Sequence, residues 1–288
     1  LFYNCKEQKP TFALVGLVGN ESMGVTAKVT QGATEVTPIN VGSYTLTLSV
    51  SGETYLNYVF GEPTLTIETS TSHNYKITPK PVDITVTNVS NITYDGKVHA
   101  PAATYTDVNG TEVDAVNSIT KDGSIINATD VKNAGAYTLT ASLLDKTNYV
   151  WSDDKTIDDK TYNWTISKAK ATLTTSNVSN ITYDGKVHAP AATYTDVNGT
   201  TVNAVTAITK DGSNINANDV KNAGAYTLTA SLKDKTNYVW SDTDTAADKT
   251  YNWTISKLKI TVKVTNAEQS ATYSGTEPII NTDTTVTL

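Results

Sequence analysis

The chain has 288 residues, a formal net charge of −7, 22 lysines, no arginine and one cysteine. That composition lacks the guanidinium forks and basic patches that grip phosphate, so nucleic acid is not an expected partner. The lone Cys5 excludes disulfide staples within the chain. No apolar run approaches the ~20 residues that span a bilayer, and no charged-then-apolar secretion signal is present, so direct membrane insertion is not expected.

In chain order, a first unit spans 1–79 and is a weak copy of the second and third units. Tyr3-Asn4-Cys5-Lys6 aligns with Tyr94-Asp95-Gly96-Lys97, Val41-Gly42-Ser43-Tyr44 with Ala134-Gly135-Ala136-Tyr137, and Asn57-Tyr58-Val59-Phe60 with Asn148-Tyr149-Val150-Trp151. Counted from the shared turn, this unit lacks the stretch that in the second unit forms Pro81 to Ser90, and with it a first strand. If the turn needs positive φ, Cys5, where the other units carry glycine, makes the first unit less stable than its neighbours.

The second unit spans 80–168 and the third 169–257. The 81 residues from Asn88 to Lys168 recur as Asn177 to Lys257 with 70 positions identical and a period of 89. A fourth unit starts in 258–288, where Tyr273-Ser274-Gly275 repeats the opening turn. Both chain ends fall inside units, which suggests a fragment of a longer protein. Fixed-period copying is the signature of an array.

Within a unit the period is that of a strand. In Tyr137 to Leu143 apolar groups alternate with hydroxyls, which is a half-buried strand with one wet face. The same phase links Val82, Ile84 and Val86, then Ile92 and Tyr94, then Tyr162, Trp164 and Ile166. Asp95-Gly96, Asn109-Gly110 and Asp122-Gly123 supply tight turns, repeated one period later. The expected fold is all-β: tandem immunoglobulin-like antiparallel β-sandwiches of about seven strands each. Short joints such as Ser167-Lys168-Ala169-Lys170 contain no Gly/Ser-rich linker, so the array should be an elongated, rather stiff and monomeric rod.

The YDGK turn, the GAYTLT strand, NYVWSD and the closing YNWTISKAK resemble the bacterial immunoglobulin-like repeats of the YDG or MBG type, found in tandem in cell-surface proteins and adhesins. The resemblance covers almost the whole chain. It implies an extracellular, cell-wall-associated location and a stalk or adhesive role.

Few constellations suggest chemistry. His99 and His188 occupy one repeat position with no nucleophile elbow or glycine-rich cradle, so they read as solvent-facing strand-end residues and no enzyme or cofactor is expected. Asp107, Asn109 and Asp114 space oxygen ligands as a calcium loop would, yet unit 3 replaces Asp114 by Asn203 and Glu112 by Thr201, which favours an Asn-Gly hairpin. The Asp153-Asp154 and Asp158-Asp159 pairs, with Asp242 and Asp244, read as solvated acidic loops. A Lys-Asn isopeptide bond would need its partners together in the core, but alternation points Asn163 outward, and Lys80 becomes Ala169 one period later.

Tyr149 with Trp151, and Tyr238 with Trp240, would stack on a sugar ring if exposed, or fill the core if inward-facing; the shared face favours the core. The expected function is a non-enzymatic stalk of a bacterial surface adhesin that projects a distal binding domain. The alternative is a multivalent module holding host glycans or surface proteins weakly through each repeat. Ten of the 11 differences between the two copies cluster in the middle of the unit and in its late loop, which favours the stalk.

Overall fold

The computed structural model describes residues 1–52, 56–58, 70–261 and 275. Val59 and Phe60 of the first unit, and the Tyr273-Ser274 start of the fourth, lie outside them. The chain divides into two compact units, Leu1–Ser167 and Lys168–Leu288, so repeats 1 and 2 belong to one body. The described residues form strands and short 3-10 turns, with no α-helix.

Repeat 1 contributes β1 (Gly24–Gln31), β2 (Thr34–Glu35), β3 (Gly42–Ser51) and β4 (Ser70–Ile77) in one antiparallel sheet of order β2-β1-β3-β4. Alternation drives Tyr44 and Leu46 of β3 inward while the residues between them stay partly wet. Thr45 and Thr47 place their hydroxyls on Asn74 and Ser72 across the β3/β4 ladder, at 2.8 and 3.0 Å. These pairs show how threonine serves the wet face: the branched Cβ suits the pleat and the hydroxyl finds a cross-strand partner.

Repeat 2 adds β5 (Lys80–Val82), β6 (Ile84–Thr87), β7 (Ile92–Thr93), β8 (Ala102–Thr106), β9 (Glu112–Asp114), β10 (Val116–Lys121), β11 (Ser124–Ile126), β12 (Gly135–Ser142), β13 (Tyr149–Trp151) and β14 (Lys160–Ser167). They form a five-stranded sheet β11-β10-β12-β14-β7, a three-stranded sheet β6-β8-β9 and a two-stranded pair β13-β5. The turn between β10 and β11 holds Asp122 at φ 48 and Gly123 at φ 83, the left-handed pair that a two-residue hairpin requires. Inward residues of the larger sheets, Ala103 and Tyr105 on one side and Tyr137, Leu139 and Ala141 on the other, belong to one buried cluster.

The architecture departs from the sequence expectation in two ways. Val82, Ile84 and Val86 do not form one strand: the chain breaks at Asp83, so that β5 pairs with β13 and β6 with β8. Splits of this kind give ten short strands where about seven were expected. Pairing is also not wholly antiparallel, since β5 runs parallel to β13 and β7 parallel to β14. Repeat 3 reproduces the ten strands, from Ala169–Ala171 to Lys249–Ser256, with the same sheet orders and the same two parallel pairs.

The buried cluster does not stop at the end of repeat 1. Tyr3, Tyr44, Leu46 and Ile77 are continuous with Tyr149, Trp151 and Tyr105 of repeat 2, which accounts for the two repeats forming one body. Only Thr78 and Pro79 separate β4 from β5.

Candidate functional site at the joint of repeats 1 and 2

The loop before β13 begins with Asp145, whose Oδ1 accepts the backbone N–H groups of Thr147 and Asn148 at 3.0 Å each. This Asx-type turn fixes the backbone of Asn148 and aims its side chain out of repeat 2. The Asn148 amide donates to Asp145 Oδ2 at 2.8 Å and to Asn40 Oδ1 at 3.3 Å, while its Oδ1 accepts the Val41 N–H at 2.9 Å. Asn148 is 7% exposed, one of the few buried polar residues, and both ends of its amide are satisfied.

Repeat 1 holds the receiving side still. The Tyr44 hydroxyl donates to the Asn40 carbonyl at 2.7 Å, which pins the segment that presents the Val41 N–H. Tyr3, buried beside it, meets Tyr149 edge to face at a ring separation of 5.5 Å. Its phenol pKa is pushed well above the ordinary range, first by a hydrogen bond with Cys5 and then by burial. The Asn148 carbonyl accepts the Lys80 N–H at 2.8 Å, starting the parallel β5/β13 pair. A buried hydrogen-bonded asparagine, an aromatic edge contact and a two-residue connection thus converge on the joint.

The sequence singled out Tyr149 and Trp151 but passed over Asn148 and Asp145. The signal was present: Asp-x-x-Asn-Tyr recurs as Asp234 to Tyr238, where Asp234 makes the same turn and the Asn237 amide donates to Asp234 Oδ2 at 2.8 Å. An asparagine precedes the matched strand in each unit, as Asn40, Asn133 and Asn222. Tyrosine hydroxyls hold the last two by their carbonyls, at 2.6 and 2.5 Å.

The remaining candidates fill structural roles. Trp151 and Trp240 are 1% and 0% exposed, each edge-on to a core tyrosine at 6.0 Å, with its indole N–H donating to a loop carbonyl at 2.8 Å. Tyr149 and Tyr238 are likewise buried, so these four rings fill the core, the reading their shared face favours, and offer no exposed platform for a sugar. Asp107 Oδ1 accepts the backbone N–H groups of Asn109 and Thr111 at 2.8 Å each, and the Thr111 amide leads in holding its carboxyl below the usual carboxylate range. Asp114 stands opposite Thr104 in the β8/β9 ladder. The loop is an Asx-stabilised hairpin in which the Asp107 carboxylate is engaged by the backbone of its own turn. Among the described residues no group of three or more His, Cys, Asp or Glu is placed to hold a metal ion.

His99 is not the bare strand-end residue expected. Its Nε2 lies 2.9 Å from Asp95 Oδ1, which also accepts the Lys97 N–H at 2.9 Å, and its backbone N–H donates to the Val131 carbonyl at 2.8 Å. His99 leads in lowering the Asp95 carboxyl, and His188 does the same to Asp184. The pair closes the YDGK turn and carries no nucleophile. The acidic loop is paired too: Lys160 Nζ reaches Asp153 at 2.9 Å and Asp154 at 2.6 Å, and holds the Asp154 carboxyl well below its ordinary value. Asn163 accepts the Thr138 hydroxyl at 2.7 Å on the wet face, and Lys80 is exposed, so the two do not meet in the core.

No protein-family model matches the chain, and no curated protein matches it. Among solved structures it is similar to domains 4–9 of the surface layer protein SbsC, at 14% identity and a TM-score of 0.22, over 90% of this chain and 42% of that one. The chain therefore spans less than half of that structure. No helix among the described residues is long and apolar enough to cross a membrane.

Proposed function

We propose that the chain is a non-enzymatic spacer: a run of immunoglobulin-like sandwiches forming a stiff stalk of a bacterial cell-surface adhesin, which carries a binding domain away from the cell wall. The observation that supports this reading most directly is the joint of repeats 1 and 2. Neighbouring domains that move freely share a polar, modest interface and a flexible linker, whereas here a buried core crosses the boundary and two residues connect the strands. Near-identical copying fits the same role, because an added unit changes length without requiring a new site.

The aromatic pairs that would have served a glycan are used to fill the core, and the acidic and histidine groups are used to close turns and loops. The test is binding of residues 1–288 to mucin and to a broad glycan array, beside small-angle scattering of the same sample. An extended particle silent on both surfaces is the expected result. Saturable glycan binding by folded protein would replace the spacer with the multivalent adhesive module.

A further inference from the structure

Repeat 3 presents the receiving half of a joint. Tyr183, Asn222 and Ala223 stand at the positions of Tyr3, Asn40 and Val41, and line a cavity of about 380 Å³ together with Lys257, Leu258 and Ile260. The Tyr226 hydroxyl holds the Asn222 carbonyl at 2.5 Å, as Tyr44 holds that of Asn40. Tyr183 is anchored by its backbone N–H on the Ser256 carbonyl at 2.9 Å. The three residues that greet Asn148 and Tyr149 in repeat 1 are thus reproduced around an accessible hollow.

The other wall of the hollow is the start of the next period. Leu258, Lys259 and Ile260 match Lys80-Pro81-Val82 and Ala169-Lys170-Ala171, the first strands of repeats 2 and 3. In those repeats this strand pairs parallel with Tyr149-Val150-Trp151 or Tyr238-Val239-Trp240. Leu258 and Ile260 are 57% and 66% exposed, and Leu258–Ile260 forms no strand among the described residues. Two exposed apolar side chains beside a cavity, on a segment that pairs with no strand among the described residues, are what β-augmentation uses: main-chain bonds supply affinity and alternate pockets supply selectivity.

We infer that this hollow is the seat for an Asp-x-x-Asn-Tyr-x-Trp strand belonging to a further repeat of the same kind. The incoming asparagine Oδ1 accepts the Ala223 N–H, its amide meets Asn222, the tyrosine takes the edge of Tyr183, and the strand pairs in parallel with Leu258–Ile260. The occupied joint in repeat 1 is the precedent on this same chain. The inference concerns recognition between repeats and stands apart from whether the array serves as a spacer or as an adhesive.

Disulfide trapping tests it. In the register seen in repeat 3, Lys170 stands opposite Val239, so Lys259 should stand opposite the valine of an incoming strand. The full chain carrying Lys259→Cys and Cys5→Gly is incubated with a peptide of residues 232–242 carrying Val239→Cys, in a glutathione redox buffer. The Lys259 side chain is exposed and does not line the hollow, so the substitution alters none of the lining residues. Trapping about tenfold faster than with a scrambled peptide, slowed by excess cysteine-free peptide and by Asn237→Ala in the peptide, is the expected result. Equal rates for all peptides overturn the inference. Concentration-dependent dimerisation of residues 1–288 that the peptide abolishes would assign the seat to a second copy of the chain and overturn the tandem assignment.

Discussion

Replacing Trp240 with alanine should strongly destabilise repeat 3. The indole is fully buried, edge-on to Tyr194 at 6.0 Å, and its N–H satisfies the Ala247 carbonyl at 2.8 Å. Truncating a buried tryptophan costs about 3–5 kcal/mol, and the orphaned carbonyl places this site toward the upper end of that range. At about 0.05–0.15 kcal/mol per residue, a repeat of 89 residues holds roughly 4–13 kcal/mol, so the substitution removes a third of its stability or more. Native-state hydrogen exchange followed by mass spectrometry reads each repeat separately. Slow amides of the strand Gly224–Ser231 should exchange about a thousandfold faster, while those of β1 and β3 in repeat 1 are unchanged. Trp151→Ala should produce the same loss in repeat 2, because its burial, ring contact and hydrogen bond match. Protection that falls by less than about tenfold in repeat 3 would refute the core assignment of the indole and reopen the sugar-stacking alternative.

Asn148→Ala removes the acceptor of the Val41 N–H and the donor to Asp145, and should cost about 2 kcal/mol, with the Val41 amide losing protection first; unchanged exchange at Val41 would remove Asn148 from the joint. Cys5 sits at φ 61, where Gly96 and Gly185 have φ 77 and 75, so Cys5→Gly should stabilise repeat 1 by about 1 kcal/mol in urea unfolding, and a loss of stability would contradict the strain. The carboxyls of Asp95, Asp184, Asp159 and Asp248 are lowered by His99, His188, Lys146 and Lys235 in turn. A lowered carboxyl binds its proton more weakly in the folded than in the unfolded chain. Its contribution is therefore complete above the ordinary carboxylate range and is lost as pH falls through the depressed values. Thermal midpoints should drop between about pH 5 and pH 2, and a midpoint indifferent to pH across that interval would show that these pairs contribute nothing.

Local rules made much of the fold legible. The alternation in Tyr137 to Leu143 is the burial pattern of β12, and the Asp-Gly and Asn-Gly dipeptides fall at turns with glycine at positive φ. The break at Asp83 was hidden because alternation reports which face a side chain takes, and Val82 and Ile84 keep facing the interior while the backbone changes sheets. The parallel pairs were hidden for a related reason: direction depends on how distant segments meet, and neither β5 nor β7 carries a residue that encodes its partner. The joint asparagine escapes sequence reasoning because a polar residue in a loop ordinarily faces water, whereas here its Oδ1 receives the Val41 N–H of another repeat. His99 reads as solvent-facing on similar grounds, although its four-residue spacing from Asp95 is kept in both copies and is visible in the sequence.

The parallel closing pair has a mechanical meaning. Repeat 2 receives the chain near β5–β7 and releases it at the end of β14, and β7 and β14 run in the same direction, joined by the Ile92/Ile166 register and the bond from the Tyr94 N–H to the Ser167 carbonyl at 2.8 Å. Tension applied between the two ends drags these strands past each other along their axes. The hydrogen bonds that join them are loaded together in shear, whereas an antiparallel closing hairpin would open like a zip, one bond at a time. A pull of that kind meets the repeat with its strands in the orientation that resists it best.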